Sequence, residues 1–471
     1  MAIPRALPSS RRTAKAPSSA PGTPAVASLH QRILFPPSSS AKPPRILHSP
    51  AHATLDPLIL DFIALALRAY VTPWYNGGIS RDPDKAFLQA VTAVLVHVIQ
   101  ALEVRLATVE WAELVVRDFP DLVAAHYRDW DRATERAGSA SAHNLSPEQL
   151  FHNLQPHIAI TVAVPSAASP SSRAVPHVDK VYLRTLVDHL LRLLLPPDDY
   201  RAETERAIVR EILVGVVFGA VYDRVARPWF LHGIIARQLE TVAATRRAAQ
   251  KADGASDEVT EGASAASMLE KAAALLASVP GRLLGAISTV SAFAFASPPT
   301  PSHSRSPPHH LSLVSLISAI LPASAFLDTL LSLISLPLAF LSTRLDAHLS
   351  RTISGIATES TVRAILEGAV RGMFPADGWP APKDDDPDEA AQAALQLRCE
   401  TALACLLPAA LPAVLDPAGS LAADEPDARL ALARHLLRPL ASHTANVHLV
   451  VLVVDLVVGR VFPELVVGPD E

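Results

Sequence analysis

The amino-acid sequence predicts an all-α protein. Only 18 of its 471 residues are Gly and 5% are aromatic, whereas hydrophobic residues, with many Ala and Leu among them, reach 49%. This composition favours helices over sheets. Apolar residues also recur at every third or fourth position in long stretches, which is the spacing of one helix face. The charged fraction is 18%, so the chain has enough apolar material for a sizeable core.

Residues 1–50 form a tail of unusual composition, with ten Pro, seven Lys or Arg and no Asp or Glu. Such a segment buries too little apolar surface to offset the entropy cost of ordering it, so a disordered tail is predicted. Its positive charge would give a weak attraction to an anionic membrane. Its prolines oppose the amphipathic helix that an organelle transit peptide needs.

Helical patterns begin soon after the tail. The stretch "SPEQLFHNL" has the capping-box pattern of a helix start, and "VYLRTLVDHLLRLLLPPDDY" is amphipathic up to its Pro-Pro pair. "AIVREILVGVVFGAVYDRV" is apolar on nearly all sides, which predicts a central helix. In "KAFLQAVTAVLVHVIQALEVRL" the spacing predicts a half-buried helix, and the buried face would comprise Phe87, Val91, Val94, Val98 and Leu102.

Residues 241–310 are predicted to form a low-complexity linker, because "KADGASDEVTEGASAAS" and "SPPTPSHSRSPPHH" are rich in Ser, Ala, Gly and Pro. The segment that follows has the most unusual composition in the chain, since Asp328 is its only ionisable residue between Leu311 and Leu341. Asp328 and two prolines, Pro322 and Pro337, divide it into pieces too short to cross a bilayer singly.

Three interpretations of residues 311–341 stay open. The segment could form a shallow hairpin or interfacial helices on a bilayer or lipid droplet, it could line a lipid cavity, or it could be ordinary core. Ser residues at every third position leave a wide Leu/Ile face opposite. The predicted lipid- or membrane-contact residues are Leu313, Leu316, Ile320, Phe326, Leu330, Ile334 and Phe340.

The sequence argues against several functional classes. A net charge of −5 gives no support for a nucleic-acid partner. Cys399 and Cys405 would point to different faces of a helix, and the histidines of the linker have no Cys or acid at metal-ligand spacing, so no metal site is predicted. No nucleophile elbow, paired catalytic carboxylates or Gly-rich phosphate loop is visible. We therefore expect a non-enzymatic protein without a cofactor.

One block of the chain carries an ordered set of motifs. "WYNGGIS" comes first, a His closes a later helix, and "YLR", "LLP" and "REI" follow in that order. This block resembles the PXA domain, the PX-associated helical domain of sorting nexins that also carry regulator-of-G-protein-signalling modules. The resemblance implies a helical bundle over residues 51–240, in which Trp74, Tyr75, Tyr182 and Arg184 are structural motif residues.

A second block, residues 346–468, resembles the nexin C-terminal domain. Its "NVHLVVLVVDLVVGRVFPEL" has the Asn-x-His-Leu opening, the mid-helix Asp and the closing Phe-Pro-Glu-Leu of that family. The resemblance implies the last buried helix of a soluble bundle, with Asp455, Phe462 and Pro463 as structural motif residues. The uninterrupted apolar run is also far shorter than the roughly 20 residues of a membrane span. A buried Asp455 would need a partner such as an Arg side chain or a backbone donor.

The two resemblances together imply that the helical blocks pack around a lipid-sized cavity. We therefore expect a lipid-binding or lipid-transfer protein of endomembrane trafficking, with membrane lipids or fatty acids as ligands and with further protein partners. It would act on the cytosolic face of the endosome, vacuole, endoplasmic reticulum or a lipid droplet. Two alternatives stay open, a protein-binding scaffold with a solid core and a hairpin-anchored organelle tether. The predicted segments are 1–50, 51–240, 241–310, 311–345 and 346–468.

Overall fold

A computed structural model describes residues 28–36, 43–80, 84–139, 145–162, 176–253, 309–356, 358–375, 378–380, 386–415 and 427–466. Helices make up nearly all the regular structure of this part, which confirms the predicted all-α class. Most of the predicted tail and linker lies outside the described residues.

Twelve of the described helices precede residue 254, and several of them are short. They are α1 (Leu29–Leu34), α2 (Asp56–Ala66), α3 (Thr72–Gly78), α4 (Ala86–Thr108), α5 (Trp111–Glu113), α6 (Phe119–Ala137), α7 (Pro147–Leu154), α8 (Lys180–Leu194), α9 (Pro197–Arg201), α10 (Glu203–Ile212), α11 (Ala220–Val225) and α12 (Pro228–Asp253). A small antiparallel sheet of β1 (Ile160–Val162) and β2 (Pro176–Val178) pairs Thr161 with His177.

Seven helices follow the linker in the part that the structure describes. They are α13 (His309–Ile320), α14 (Ala325–Ile356), α15 (Glu359–Met373), α16 (Glu389–Leu406), α17 (Leu411–Leu415), α18 (Ala428–Leu436) and α19 (His443–Val461). Short 3₁₀ turns lie at Pro50–His52, Arg438–Ala441 and Pro463–Leu465.

Wide π-helical turns join several of these helices. Leu67–Val71 links α2 to α3, and Leu114–Asp118 links α5 to α6. Each turn comes just before a proline, Pro73 or Pro120, which lacks a backbone N–H and whose ring clashes with the carbonyl four residues earlier in an α-helix. A π turn moves that carbonyl away, so the helix continues through the proline. A third π turn, Leu213–Gly219, joins α10 to α11.

The chain divides into two compact units, and the division falls within α4. Unit 1 comprises Met1–Ala93 and Leu366–Pro380, and unit 2 comprises Val94–Ile365 and Ala381–Glu471. In unit 1, α1 packs against α2, and the Phe374 ring meets the Phe62 ring edge-on at 6.0 Å between centroids.

Helix α19 lies at the centre of unit 2. Its Val447 and Val451 are buried in a cluster with Leu183 and Val187 of α8, and its first turn packs against α7 through Ala445. Burying a Val side chain fully stabilises the fold by about 1.5–3 kcal/mol, so this helix contributes much of the core. Within unit 2, this contact confirms the prediction that the two helical blocks pack together.

The two helices of the most apolar segment also pack inside unit 2. Helix α13 lies on α6, and the start of α14 lies on α17 and α18. The prediction that Pro337 divides this segment is wrong, because α14 runs through it to Ile356. A 32-residue helix tolerates the loss of one backbone hydrogen bond.

Other local predictions also need correction. Helix α1 forms within the predicted tail and buries His30 and Leu34, and α12 extends through Asp253 into the predicted linker, where Ala, Arg, Lys and Gln favour helix. The most buried positions of α4 are Leu88, Thr92 and Val96 rather than the predicted face. The predicted central helix leaves several apolar residues exposed, namely Ile208, Val209, Ile212 and Val221.

Three helices of the described part are long and apolar enough to cross a membrane when judged by length and composition. They are Asp56–Gly78, Ala86–Thr108 and His443–Val461, and the last two have a mean hydropathy of 1.7. The third is α19, so the short apolar run seen in the sequence understated the length of this helix. Its packing in unit 2 agrees with the predicted buried helix.

Candidate functional site

The mid-helix aspartate of α19 meets two side chains of the first block. The Tyr182 hydroxyl donates a hydrogen bond to Asp455 Oδ1 at 2.6 Å, and His157 Nε2 lies 3.0 Å from Asp455 Oδ2. The His157 Nδ1 atom accepts a hydrogen bond from the Ala159 N–H, so Nε2 carries the proton of the neutral ring and donates it to Asp455. Asp455 therefore has partners, but they are Tyr and His rather than the expected Arg or backbone donor.

This arrangement keeps Tyr182 protonated. Burial raises the pKa of the Tyr182 hydroxyl well above its usual range, and its hydrogen bond to the Asp455 carboxylate and the negative charge of that group raise the pKa further. Burial also raises the pKa of Tyr222, which lies in the same core cluster as Tyr182. The site thus offers two fixed donors, Tyr182 and His157, and the Asp455 carboxylate, which accepts hydrogen bonds from both. This three-residue contact, called the joint below, suits a structural connection to α19 or the polar end of a binding cleft.

A cleft of about 360 Å³ opens beside this joint, between α8 and α19. The cleft is narrow at the end where Gly459 and Val466 meet. A side chain at Gly459 would not fit there, because its Cβ atom would lie only 3.0 Å from the Val466 Cγ2 atom. The cleft has the size and mixed character of small-molecule sites, mainly apolar with a few polar groups. Its lining comprises Tyr182, Thr185, Leu186, His189, Asp455, Val458, Gly459, Leu465 and Val466.

The closing Phe-Pro-Glu-Leu motif docks on the end of α4. Phe462 is buried with Val109 and Leu114, and the Arg105 guanidinium lies 4.7 Å above the Phe462 ring. Arg105 also pairs with Glu464 at 2.6 Å. Pro463 begins the 3₁₀ turn that brings Glu464 back toward Arg105.

The other motif residues of the first block lie at two places. In unit 2, Arg184 of α8 makes a two-pronged ion pair with Glu211, with Nε–Oε1 and Nη2–Oε2 distances of 2.9 Å, so the "YLR" and "REI" motifs meet. In unit 1, Tyr75 stacks on Phe87 at 3.8 Å between ring centroids, whereas Trp74 is 43% exposed.

The predicted lipid-contact residues do not share one environment. Leu316 and Ile320 pack against Ala124 and Tyr127 of α6, so they contribute to a core cluster. Leu313 and Leu330 are half-buried, and the clefts described for this part of the chain include neither. The side chains of Phe326, Ile334 and Phe340 lie outside the described residues.

The sequence did not reveal Arg438 as a central residue. Its guanidinium forms a two-pronged ion pair with Asp131 of α6, at 2.7 Å and 2.6 Å. It also donates to the carbonyl oxygens of Ala319 and Ile320, each at 2.9 Å, at the end of α13. Arg438 therefore connects three segments of unit 2, and no local pattern marks it because Asp131 is 307 residues away.

The sequence also did not predict that several histidines lie together in one buried cluster. His448 of α19 and His126 of α6 are fully buried, and both rings meet the Phe151 ring edge-on at 5.3 Å and 5.2 Å. His152 Nδ1 lies 3.1 Å from His448 Nε2. Burial lowers the pKa of His448 to about 3, helped by the neighbouring histidines, and lowers the pKa of His126 to about 4.

Comparison with known proteins identifies the family of the first block. Residues 52–238 match the family description "PXA domain". The chain contains a PXA domain. In unit 2, α6, α7 and α8 of this domain are the helices that receive α19. The nexin C-terminal resemblance of residues 346–468 and the predicted segment boundaries stay predictions.

Relatives of the PXA domain are found in several organisms. PXA domain protein 1 of Schizosaccharomyces pombe is 29% identical over 161 residues, which are 34% of this chain and 29% of that protein. Sorting nexin-19 of Homo sapiens is 24% identical over 173 residues, 37% of this chain and 16% of the relative. Sorting nexin-25 of Mus musculus is 24% identical over 186 residues, 40% of this chain and 19% of the relative. The chain thus spans less than a third of each relative, and no solved structure matches it.

Proposed function

We propose that this PXA-domain protein is a non-enzymatic lipid-binding or lipid-transfer protein of endomembrane trafficking, and that it shields an acyl chain between its PXA domain and α19. The similarity to sorting nexins supports a trafficking role on the cytosolic face of endomembranes. The observation that carries the proposal is the cleft of about 360 Å³ at the joint, whose apolar walls come from both helical blocks.

The energetics of this cleft suit an acyl chain. Each methylene removed from water contributes about 0.8 kcal/mol, so a chain segment of about ten methylenes gains roughly 8 kcal/mol before ordering costs. Leu186, Val458 and Leu465 would contact the chain, and specificity would come from the few polar groups.

The polar end of the cleft restricts the kind of lipid. Asp455 is the acid among the lining residues, and it already accepts hydrogen bonds from Tyr182 and His157. A fatty-acid carboxylate placed there would be repelled by the Asp455 carboxylate. Among the expected membrane lipids and fatty acids, we therefore favour an uncharged lipid whose hydroxyl group donates to Asp455.

The test is the lipid content of the purified full-length chain. Native mass spectrometry and lipid extraction should find a lipid bound to the wild-type protein. Thr185→Trp should remove most of it, because Thr185 is exposed at the cleft wall and an indole there would occupy the space. Val181→Trp is the matched control, since Val181 is 65% exposed one helical turn earlier and does not line the cleft.

Two outcomes would contradict the proposal. If the wild-type protein carries no lipid, the acyl-chain role is wrong and a protein-binding scaffold becomes the better description. If Thr185→Trp and Val181→Trp retain equal amounts of lipid, the lipid binds elsewhere. Circular dichroism of both variants would check that the helices are intact.

A second candidate function is direct contact with a membrane or a partner protein, because large apolar side chains are exposed on α13 and α14. Leu311, Ile317 and Leu333 are 47%, 45% and 55% exposed. Exposed apolar patches mark interaction surfaces. Ile317→Ser with Leu333→Ser should reduce membrane recruitment in cells, whereas Val242→Ser on exposed α12 should not. Carbonate extraction would separate a peripheral protein from an embedded hairpin tether.

A further inference from the structure

Unit 1 contains a cleft of about 260 Å³ with a strongly basic wall. Three cationic side chains line it, Arg32 of α1, Arg68 between α2 and α3, and Lys85 before α4, and no acid is among the lining residues. Neutral polar groups of Thr72, Tyr75 and Asn76 complete the polar lining, and Ile33, Phe87 and Leu88 supply the apolar part.

Lys85 is held in an unusual backbone conformation at this cleft. Its φ is 53°, in the left-handed region that non-Gly residues enter at a cost of about 1–2 kcal/mol. Its carbonyl accepts the hydrogen bond from the Gln89 N–H that begins α4. The Lys85 ammonium donates to the carbonyl oxygens of Arg32 at 2.6 Å and Phe35 at 2.9 Å. An ammonium has three donors, so one N–H remains for a ligand in the cleft.

Two of the three cations, Arg32 and Lys85, have no carboxylate partner at close range among the described residues. Asp61, which lies under α1, accepts hydrogen bonds from both the backbone N–H and the ring of His30. Arg68 lies 4.7 Å from the Trp379 ring and donates to the Gly378 carbonyl oxygen.

The rim of the cleft carries exposed aromatic groups. Trp74 meets the Phe87 ring of the lining edge-on at 6.4 Å, and it is 43% exposed. Tyr and Trp with one face in contact with protein and the other exposed are typical of the membrane–water interface. The start of α4 at the cleft adds the partial positive charge of a helix N-terminus.

We infer that this cleft binds a phosphate group, carried either by an anionic lipid headgroup or by a small phosphate ester. Two cations without carboxylate partners, a further guanidinium and a free ammonium N–H match the negative charge and the multiple acceptor oxygens of a phosphate. The inference goes beyond acyl-chain binding and does not rest on it, because the cleft lies in unit 1 whereas the acyl-chain cleft lies in unit 2.

The test uses the full-length chain and two probes. The first is a set of vesicles of phosphatidylcholine with or without phosphatidic acid, measured by flotation, and the second is glycerol 3-phosphate, measured by calorimetry. Whichever probe binds to the wild-type chain, the double substitution Arg32→Gln with Lys85→Gln should lower its affinity about tenfold or more. A hydrogen bond to a charged group is worth at least that factor. Vesicle binding alone would indicate a lipid source, and binding of glycerol 3-phosphate would indicate a free ester.

Matched controls keep the test decisive. Arg201→Gln removes one positive charge from a side chain that is 78% exposed in unit 2, and Thr185→Trp alters only the other cleft, so both should leave phosphate binding within about twofold of wild type. Arg32→Gln alone should already weaken binding, and it spares the hydrogen bonds of Lys85, because these use the backbone carbonyls of Arg32 and Phe35 and not the Arg32 side chain. The inference is overturned if neither probe binds, or if Arg32→Gln and Arg201→Gln weaken binding equally.

Discussion

Acidification should destabilise the packing of α19 through His448. The perturbation is a shift from about pH 7 to about pH 5, applied to the wild-type chain and to His448→Gln. In the folded protein, His448 is buried among His126, His152 and His157, and burial together with these neighbours lowers its pKa to about 3. In the unfolded chain its pKa returns to the ordinary value of 6.5.

The sign and size of the effect follow from these two values. A His whose folded pKa is depressed stabilises the fold fully above the unfolded pKa and loses that contribution as pH falls toward the folded pKa. A pH of about 5 lies roughly 1.5 units below the pKa of His448 in the unfolded chain. The unfolded imidazole therefore takes up a proton, while the folded imidazole stays neutral. One pKa unit corresponds to about 1.4 kcal/mol, so His448 alone should cost the fold about 2 kcal/mol.

Urea unfolding followed by tryptophan fluorescence provides the assay. Trp130 is a local reporter, because its ring packs against Phe151 at 5.6 Å beside the histidine cluster. Between the two pH values, His448→Gln should lose about 2 kcal/mol less than the wild type. His126 titrates in both proteins, so its contribution cancels from the difference.

The reasoning is refuted if the two proteins lose the same free energy of unfolding over this interval. Such a result would mean that His448 is already charged when folded, or that the cluster opens to water at neutral pH.

Three further substitutions test contacts between the PXA domain and the C-terminal block. Arg438→Ala should lower the free energy of unfolding by about 2–3 kcal/mol in urea titrations, because it removes the ion pair with Asp131 and the hydrogen bonds to the Ala319 and Ile320 carbonyls; an unchanged midpoint would show that these contacts are energetically neutral. Tyr182→Phe should cost about 1–2 kcal/mol and speed amide exchange in α19, since Asp455 loses one of two donors; wild-type exchange rates would contradict this. Phe462→Ala should cost about 3–5 kcal/mol by calorimetry, and a loss below about 1 kcal/mol would mean that the motif docks only loosely.

The predictions that held depend on local patterns. The Ser146 hydroxyl accepts from the Gln149 N–H and the Gln149 side chain returns the hydrogen bond, as the capping box predicts. The helix ending at Leu194 stops before the Pro-Pro pair. One helix start was predicted wrongly, because two nearby Asp residues could each serve as its N-cap. In "DPDEAAQAAL" the Asp-Pro start predicts Asp386 as the helix N-cap, whereas in the structure Asp388 is the N-cap and accepts from the Ala391 N–H.

Helical class, the positions of many helices and the apolar character of α19 are encoded in the sequence alone, because spacing and capping act over a few residues. The tertiary structure decided that α19 packs against helices of the PXA domain and that Asp455 meets Tyr182, 273 residues away. It also decided that Leu316 and Ile320 face α6 and that Arg438 reaches Asp131. Contacts at such separations depend on how the helices assemble, and no single segment carries a pattern that specifies its distant partner.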